Sequence, residues 1–354
     1  MATNSDDGLT PAQKLLTMTL GIVQTQLLNI AAQLNLADRL KDEPKSAFEL
    51  AQATGMDPPT FARLIASLVY IGVLVEAAPG RFSCTPMGAL LQTDASDSMR
   101  DVALTYGGEW FTHAWPRFIE SVRAGTGVFE STFGMKAYAY FDKNPDARAV
   151  FQRAMSSLSD QESIFVRDSY DFSSCRVVVD VGGGYGQLLG ILLQFFPSLR
   201  GVLFDLPAVA EGARRALQPE ALSQRCDFVG GDYNVSVPAG GDLYILKRIL
   251  QSRTDGQVDT LLQNIRRAMA PGGRVLIAEP DNSSSYGRLL DMHMLVNFGG
   301  RLRTEMEIEA LLTQSGFAVG RTITTGSSTT LRLVEGLSPV ERQERARSAS
   351  EVTA

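Results

Sequence analysis

Between Pro11 and Leu40 apolar residues recur at spacings of three and four (Leu15, Leu16, Met18, Leu20, Ile22, Val23, Leu27, Leu28, Ile30, Ala31), which is the helical period. The stripe is wider than one face, so this helix is expected to need cover on more than one side. Ser46 and Glu49 stand at capping-box spacing ahead of a second helix through Ala53 that Gly55 stops. Asp57 then caps a third, with Phe61, Leu64, Ile65, Leu68 and Val69 on one face. VLVEAAPGRFSCT reads as a short hairpin turning at Pro79 and Gly80. Helix, turn, helix, hairpin is a winged-helix outline. From Asp101 to Phe172 the pattern is helical again and rich in rings: Trp110, Phe111, Trp115, Phe118, Phe133, Tyr138, Tyr140 and Phe141. Most of these are expected to be ordinary core, although such a segment can also wall a pocket for a flat molecule.

After Arg176 the pattern alternates. VVVDV (177–181), GVLFD (201–205), CDFVG (226–230), DLYILK (242–247) and RVLIAE (274–279) are short β-rich runs separated by lengths that suit crossover helices. They predict an α/β fold with a doubly wound parallel sheet. A helix closing at Gly316 and two last strands, FAVGRTITT and STTLRLVE, are expected to form a hairpin at one edge. The expected organisation is a helical, winged-helix domain over 1–100, a helical connector over 101–172, the α/β domain over 173–340 and a charged tail over 341–354.

Composition narrows the chemistry. Thirty-three lysines and arginines against 39 aspartates and glutamates give a net charge of −6, the wrong sign for a protein that neutralises phosphates. Between Ser46 and Leu90 the charges are Glu49, Asp57 and Glu76 against Arg63 and Arg81, so the winged-helix outline is expected to serve packing or dimerisation and not nucleic acid. The longest apolar stretch, Leu64–Val75, is broken by Ser67 and Gly72 and is well short of the roughly 18 residues of a membrane span. The start, MATNSDDGLT, has no signal-peptide pattern; a cytoplasmic location without membrane partners is expected. Three scattered cysteines and two histidines predict neither a disulfide framework nor a metal site.

The informative motif is Asp180-Val181-Gly182-Gly183-Gly184-Tyr185-Gly186-Gln187, between the first strand and an apolar helix. Glycines here remove the side chains that would keep a ligand from the strand's carboxyl edge. Gln187 stands where a dinucleotide fingerprint requires glycine, which disfavours a pyrophosphate. Asp205 ends the second strand, where a carboxylate can accept both ribose hydroxyls. Asp232 and Tyr233 follow the third, where an acid can take an adenine amino group and a ring can stack on the base. Each acid alone also has the plainer reading of a helix cap or loop carboxylate; three acceptors at consecutive strand ends favour an adenosine.

The order DVGGGYGQ, FDLPAV, GDYNVSVPAGGDLYILKRIL, LLQNIRRAMAPGGRVLIAEP, LDMHML and GGRLRT resembles the small-molecule O-methyltransferases of plants and of bacterial antibiotic pathways, which use S-adenosylmethionine (SAM). The resemblance runs from about Thr17 to Glu335. It implies a Rossmann-like SAM-binding domain behind an N-terminal winged-helix dimerisation domain, a homodimer and a small-molecule substrate. It further implies that Gly182 and Gly184 line the methionine part, Asp205 with the adjoining Leu206 holds the ribose, Asp232 and Tyr233 meet the adenine, Lys247 reaches the cofactor and Ser159 lies near its carboxylate.

The chain departs from that family where the proton is handled. Plant members carry Leu-His-Asp-Trp after the fourth strand, the His acting as general base; here the stretch is Leu250-Gln251-Ser252-Arg253. The family's first carboxylate is kept as Glu279, while Leu302 stands in place of its second, in GGRLRT. A phenol of pKa about 10 is ionised to roughly one part in a thousand at neutral pH, a handicap of about 4 kcal/mol, and a base supplies 10²- to 10⁴-fold. In-line alignment contributes roughly 7–11 kcal/mol, so alignment outweighs deprotonation. Two readings follow: methyl transfer to O, N or C of an aromatic or polycyclic acceptor without the usual base, or a SAM-dependent reaction in which the methyl stays in place (pericyclase, hydroxylase or decarboxylase).

His113, beside Trp110 and Phe111, is a candidate base or hydrogen-bond donor. Glu279 is left to act as base or to bond Gln251, and Gln251 to orient a substrate oxygen. Trp110, Phe111, Met155, His293, Met294 and Asn297 are the candidate substrate residues, Met294 matching the family's pocket methionine.

Overall fold

The computed structural model describes residues 9–217, 222, 224–324 and 331–338; the expected tail over 341–354 lies outside them. The chain divides into two units, one running to Trp115 and resuming for Tyr138–Ser157, the other comprising Pro116–Ala137 and everything from Leu158.

In the first unit the expected single helix from Pro11 to Leu40 is three: Pro11–Thr19, Gly21–Gln33 and Leu36–Arg39. Thr17 and Thr19 hydrogen-bond back to the carbonyls of Gln13 and Leu15, a bond that competes with the helical ladder and bends it. The helices meet at 44°, and Asn35 ends the second break in the left-handed region (φ 49°). The first helix buries nothing, with Leu15, Leu16 and Met18 exposed by 66%, 62% and 77%. Asn29, buried on the second helix, donates to the carbonyls of Ala103 and Leu104, and Gln26 to that of Gly107. These amides fasten it to the helix Arg100–Gly107.

The following elements match the pattern. Ser46 and Glu49 form the capping box of Ala47–Thr54, Gly55 ends it at φ 70°, and the Asp57 side chain accepts from Thr60 N to cap Pro58–Tyr70. Phe61, Ile65 and Leu68 are fully buried against Leu50, Ala51, Leu36 and Leu40. β1 (Leu74–Ala78) and β2 (Arg81–Cys84) pair antiparallel across Pro79–Gly80. Trp110 lies 4.0 Å from Phe111 and edge-on to Phe141, which stacks on Phe151 at 4.6 Å.

The second unit is built on a seven-stranded sheet of β3 (Val177–Val181), β4 (Arg200–Asp205), β5 (Cys226–Gly230), β6 (Leu243–Lys247), β7 (Arg274–Pro280), β8 (Ala318–Thr324) and β9 (Leu331–Leu337), in the order β5-β4-β3-β6-β7-β9-β8. The first five are parallel, and the last two close one edge as an antiparallel hairpin. Alternate side chains feed two cores. Val178, Leu203, Leu243, Ile245 and Leu276 pack with Leu188, Leu189 and Leu192 of the helix Gln187–Phe195. Val179, Phe204, Tyr244, Leu246, Val275 and Ile277 pack with Val258, Leu261 and Ile265 of Asp255–Ala268 and Ile308 and Leu312 of Glu305–Gln314. Strand order reverses beside β3, with β4 on one side and β6 on the other. The crevice at their carboxyl ends is where open α/β sheets place ligands.

No single helix among the described residues is long and apolar enough to cross a membrane, and no three His, Cys, Asp or Glu side chains gather there as metal ligands.

Candidate active site

The turn after β3 is shaped by packing as much as by ligand access. Gly182, Gly184 and Gly186 have φ of 72°, 57° and 86°, the left-handed region that only glycine enters freely. A Cβ on Gly182 would lie 2.4 Å from Ile249 Cδ1, whereas one on Gly184 would meet nothing within 4 Å. Asp205, at the end of β4, reaches into this turn: its Oδ2 accepts Gly184 N at 2.9 Å and its Oδ1 accepts Leu206 N at 2.7 Å. A carboxylate has about four acceptor sites, so two more donors can be taken. Burial pushes the Asp205 carboxyl above its ordinary pKa, opposed by those two N–H groups. Beneath the turn, burial raises Asp180 to about 7, opposed by the charge of Lys247.

At the end of β5, Asp232 is exposed, and its Oδ1 accepts from the backbone and side chain of Asn234, both at 2.8 Å. Tyr233 is half-buried. Arg253 Nε donates to its phenol oxygen at 2.7 Å and the guanidinium sits 5.4 Å from its ring centroid, so Arg253 holds the ring from its outer edge. Leu206 is exposed.

At the end of β6, Lys247 Nζ donates to Ser159 Oγ at 2.5 Å and lies 3.8 Å from Glu162. The resemblance assigns Lys247 to the cofactor and Ser159 to the neighbourhood of its carboxylate, and the two side chains are hydrogen-bonded to each other. Glu162 was not singled out, nor was Arg248, whose guanidinium pairs with it. Arg248 holds a left-handed backbone (φ 58°), unusual for a side-chain-bearing residue and costing of order 1–3 kcal/mol; that conformation turns its side chain onto Glu162. Burial pushes the Glu162 carboxyl up, but Arg248 and Lys247 outweigh it and the net shift is downward. Burial lowers Lys247, opposed by Glu162. The only sequence signal for Glu162 is its position three residues after Ser159 on one helix.

The loop carrying Gln251 is clamped through its backbone. Glu279 Oε1 accepts Leu250 N at 2.7 Å, Arg303 donates to the carbonyls of Leu250 and Arg253, and Arg301 N donates to the Gln251 carbonyl at 2.9 Å. Glu279, raised to about 7 by burial, therefore supports the loop, and its hydrogen bond runs to the Leu250 backbone instead of to the Gln251 side chain. Gln251 Oε1 is buried with no hydrogen-bond partner. Leu302 packs with Leu290 and Met294. His293 and Asn297 are buried on the helix Ser285–Phe298, with Asn297 Nδ2 3.4 Å from His293 Nδ1; burial lowers His293 to about 4.

Trp110, Phe111, His113 and Met155 belong to the first unit. Trp110 and Phe111 are buried, Met155 is half-buried, and His113 is exposed at the end of the short helix Glu109–Thr112.

These residues fit SAM in kind. An open glycine position admits a close ligand, Asp205 has acceptor capacity left for ribose hydroxyls, and the Lys247–Ser159 pair offers donors for a carboxylate. The doubly wound sheet with acceptors at its switch point defines a Rossmann-like, SAM-binding enzyme. The chain belongs to the O-methyltransferase family: the family's O-methyltransferase domain matches residues 115–318 and its dimerisation domain residues 16–94. It is 40% identical to the phenazine O-methyltransferase PhzM of Lysobacter antibioticus over 95% of this chain and 99% of that one. It is 35% identical to the O-demethylpuromycin-O-methyltransferase of Streptomyces alboniger over 91% and 88%. The crystal structure of CalO1, a methyltransferase in calicheamicin biosynthesis bound to S-adenosylhomocysteine (SAH), superposes with a TM-score of 0.83 at 30% identity, over 93% of this chain and 99% of that one. The chain is a methyltransferase, and SAM is its cofactor.

Proposed function

We propose that this enzyme methylates a small aromatic or polycyclic natural-product intermediate, at oxygen or nitrogen, with alignment in place of a general base at position 251. The observation that carries the reading is the loop Leu250–Arg253: it is clamped at three backbone positions, yet the side chain it presents is an amide with no titratable group. When bound, SAM supplies a methyl group already activated on a sulfonium sulfur. Asp205 accepts the ribose hydroxyls, Asp232 the adenine amino group, and Tyr233 lies against the base. Lys247 and Ser159 hold the methionine carboxylate, with Glu162 balancing the lysine's charge. Gly182 and Gly184 leave the crevice free of side chains, and Gln251 fixes the acceptor's orientation. Glu279, bonded to Leu250 N, keeps that loop in register and is a positioning residue.

The acceptor is one whose proton is acidic or already absent, because the roughly 4 kcal/mol that a phenol of ordinary pKa loses at neutral pH is not recovered by a base here. The enzyme works as a homodimer, the exposed Leu15, Leu16, Met18 and Ile22 forming the apolar face that a second copy covers.

The test is Gln251→His. On a phenol of pKa about 10 the variant is expected to gain more than about tenfold in kcat at neutral pH with SAM affinity held. An unchanged rate on that phenol would show that another group already removes the proton, and the baseless reading would be lost.

A further inference from the structure

Lys247 and Arg248 are consecutive residues at the carboxyl end of β6, and in an extended strand their side chains would leave on opposite faces. They do not diverge here. The left-handed backbone of Arg248 (φ 58°) brings its guanidinium onto Glu162, with Nε 2.8 and 2.9 Å from the two carboxylate oxygens. Lys247 Nζ stands 3.8 Å from the same carboxylate. A backbone conformation that costs free energy is thus kept where it sets two cations against one anion.

All three side chains are largely withdrawn from water: Glu162, Lys247 and Arg248 are exposed by 7%, 12% and 18%. Two cations on one carboxylate leave a surplus positive charge that water does little to screen and that an anion of the ligand would complete. Ser159, three residues before Glu162 on one helix face, accepts from Lys247 at 2.5 Å. Burial is the largest influence on Lys247 and disfavours its charge; Glu162 comes next and favours it. Arg248 opposes that charge, while Asp180, under the glycine turn, and Asp160, exposed on the helix, support it.

We propose that Glu162 is the positioning residue of the cofactor subsite: anchored by Arg248, its carboxylate keeps the buried Lys247 ammonium charged and so makes the site select a thioether nucleoside whose side arm carries a carboxylate. The inference rests on the reading above that Lys247 and Ser159 hold the methionine carboxylate, and adds the residue that keeps this contact charged. Without Glu162 the lysine faces burial and the Arg248 cation with only Asp180 and Asp160 in support, and its pKa falls further. The contact is then present below that pKa and lost as pH rises through it.

The experiment titrates the enzyme by calorimetry at about pH 6 and about pH 8 with SAH and with methylthioadenosine, the same thioether nucleoside without the amino-acid arm. The parent enzyme is expected to prefer SAH at least about tenfold at both pH values. In Glu162→Gln that preference is expected to fall at least about fivefold at the higher pH and less at the lower, with methylthioadenosine binding within about twofold of the parent. Asp180, raised to about 7 by burial, ionises within the same range and supports the lysine's charge, so it opposes this fall and does not cause it. Direct contact of Glu162 with the ligand's ammonium would instead give a fall as large at the lower pH. If Glu162→Gln does not fold because Arg248 has lost its partner, Glu162→Gln with Arg248→Asn leaves no guanidinium unpaired and carries the same expectation. A smaller fall at the higher pH, a fall as large at the lower one, equal weakening of both ligands, or failure of both variants to fold overturns the proposal. A parent enzyme that binds the two ligands alike is a separate result: it overturns the preceding reading, and the proposal with it.

Discussion

At residue scale the site separates groups that hold the backbone from groups left for a ligand. Glu279 is of the first kind, and its elevated pKa gives it a signature. Its folded pKa of about 7 lies above the ordinary 4.5, so between these values the folded state retains a proton that the unfolded chain has lost. Stability is therefore lost as pH rises through that window. Gln at 279 keeps an oxygen for Leu250 N and carries no proton to lose. Denaturant titrations of Glu279→Gln and the parent protein are expected to diverge in the variant's favour from about pH 4.5 to 7, by on the order of 3 kcal/mol. Parallel curves would show that Glu279 is ionised in the fold. Arg253 holds Tyr233 through a planar fork, which an ammonium does not reproduce. Arg253→Lys is expected to weaken SAH binding several-fold in calorimetry, with the melting temperature nearly unchanged.

At the scale of elements, local signals were legible and long-range pairings were not. The run VVVDV coincides with β3 at both ends, and the capping residues Ser46 and Asp57 act as their spacing predicts, because strand alternation and caps depend on neighbours a few residues away. The break at Leu20 has no trace in the apolar period, because its cause is hydroxyls bonding back to carbonyls. Asp205 stood out through its place at a strand end. Arg303, which clamps Leu250 from 53 residues away, and Glu162, which meets Arg248 from 86, did not; no local pattern encodes such partners. The glycine turn yields a prediction of its own. Gly182→Ala puts a methyl group against Ile249 at a φ of 72°, and is expected to lower stability by about 1–3 kcal/mol and SAM affinity by at least tenfold, read by thermal melts and calorimetry.

For the whole molecule, the apolar stripe of the N-terminal helix is the part that its own unit does not use. The expectation of cover on several sides is unmet within the unit; in the proposed homodimer a second copy supplies it, and the dimerisation-domain match over residues 16–94 supports that reading. Leu16→Glu with Met18→Glu is expected to shift sedimentation from dimer to monomer without loss of helix content; a dimer that persists would move the interface elsewhere. Under the proposed function a methyl group leaves SAM for an aromatic acceptor at a site without a base on the Gln251 loop. Incubating the enzyme with methyl-deuterated SAM and an acceptor, and following both by mass, decides this. One deuterated methyl on the product for each SAH formed is the expected result; turnover of the acceptor with SAM unconsumed rules methyl transfer out.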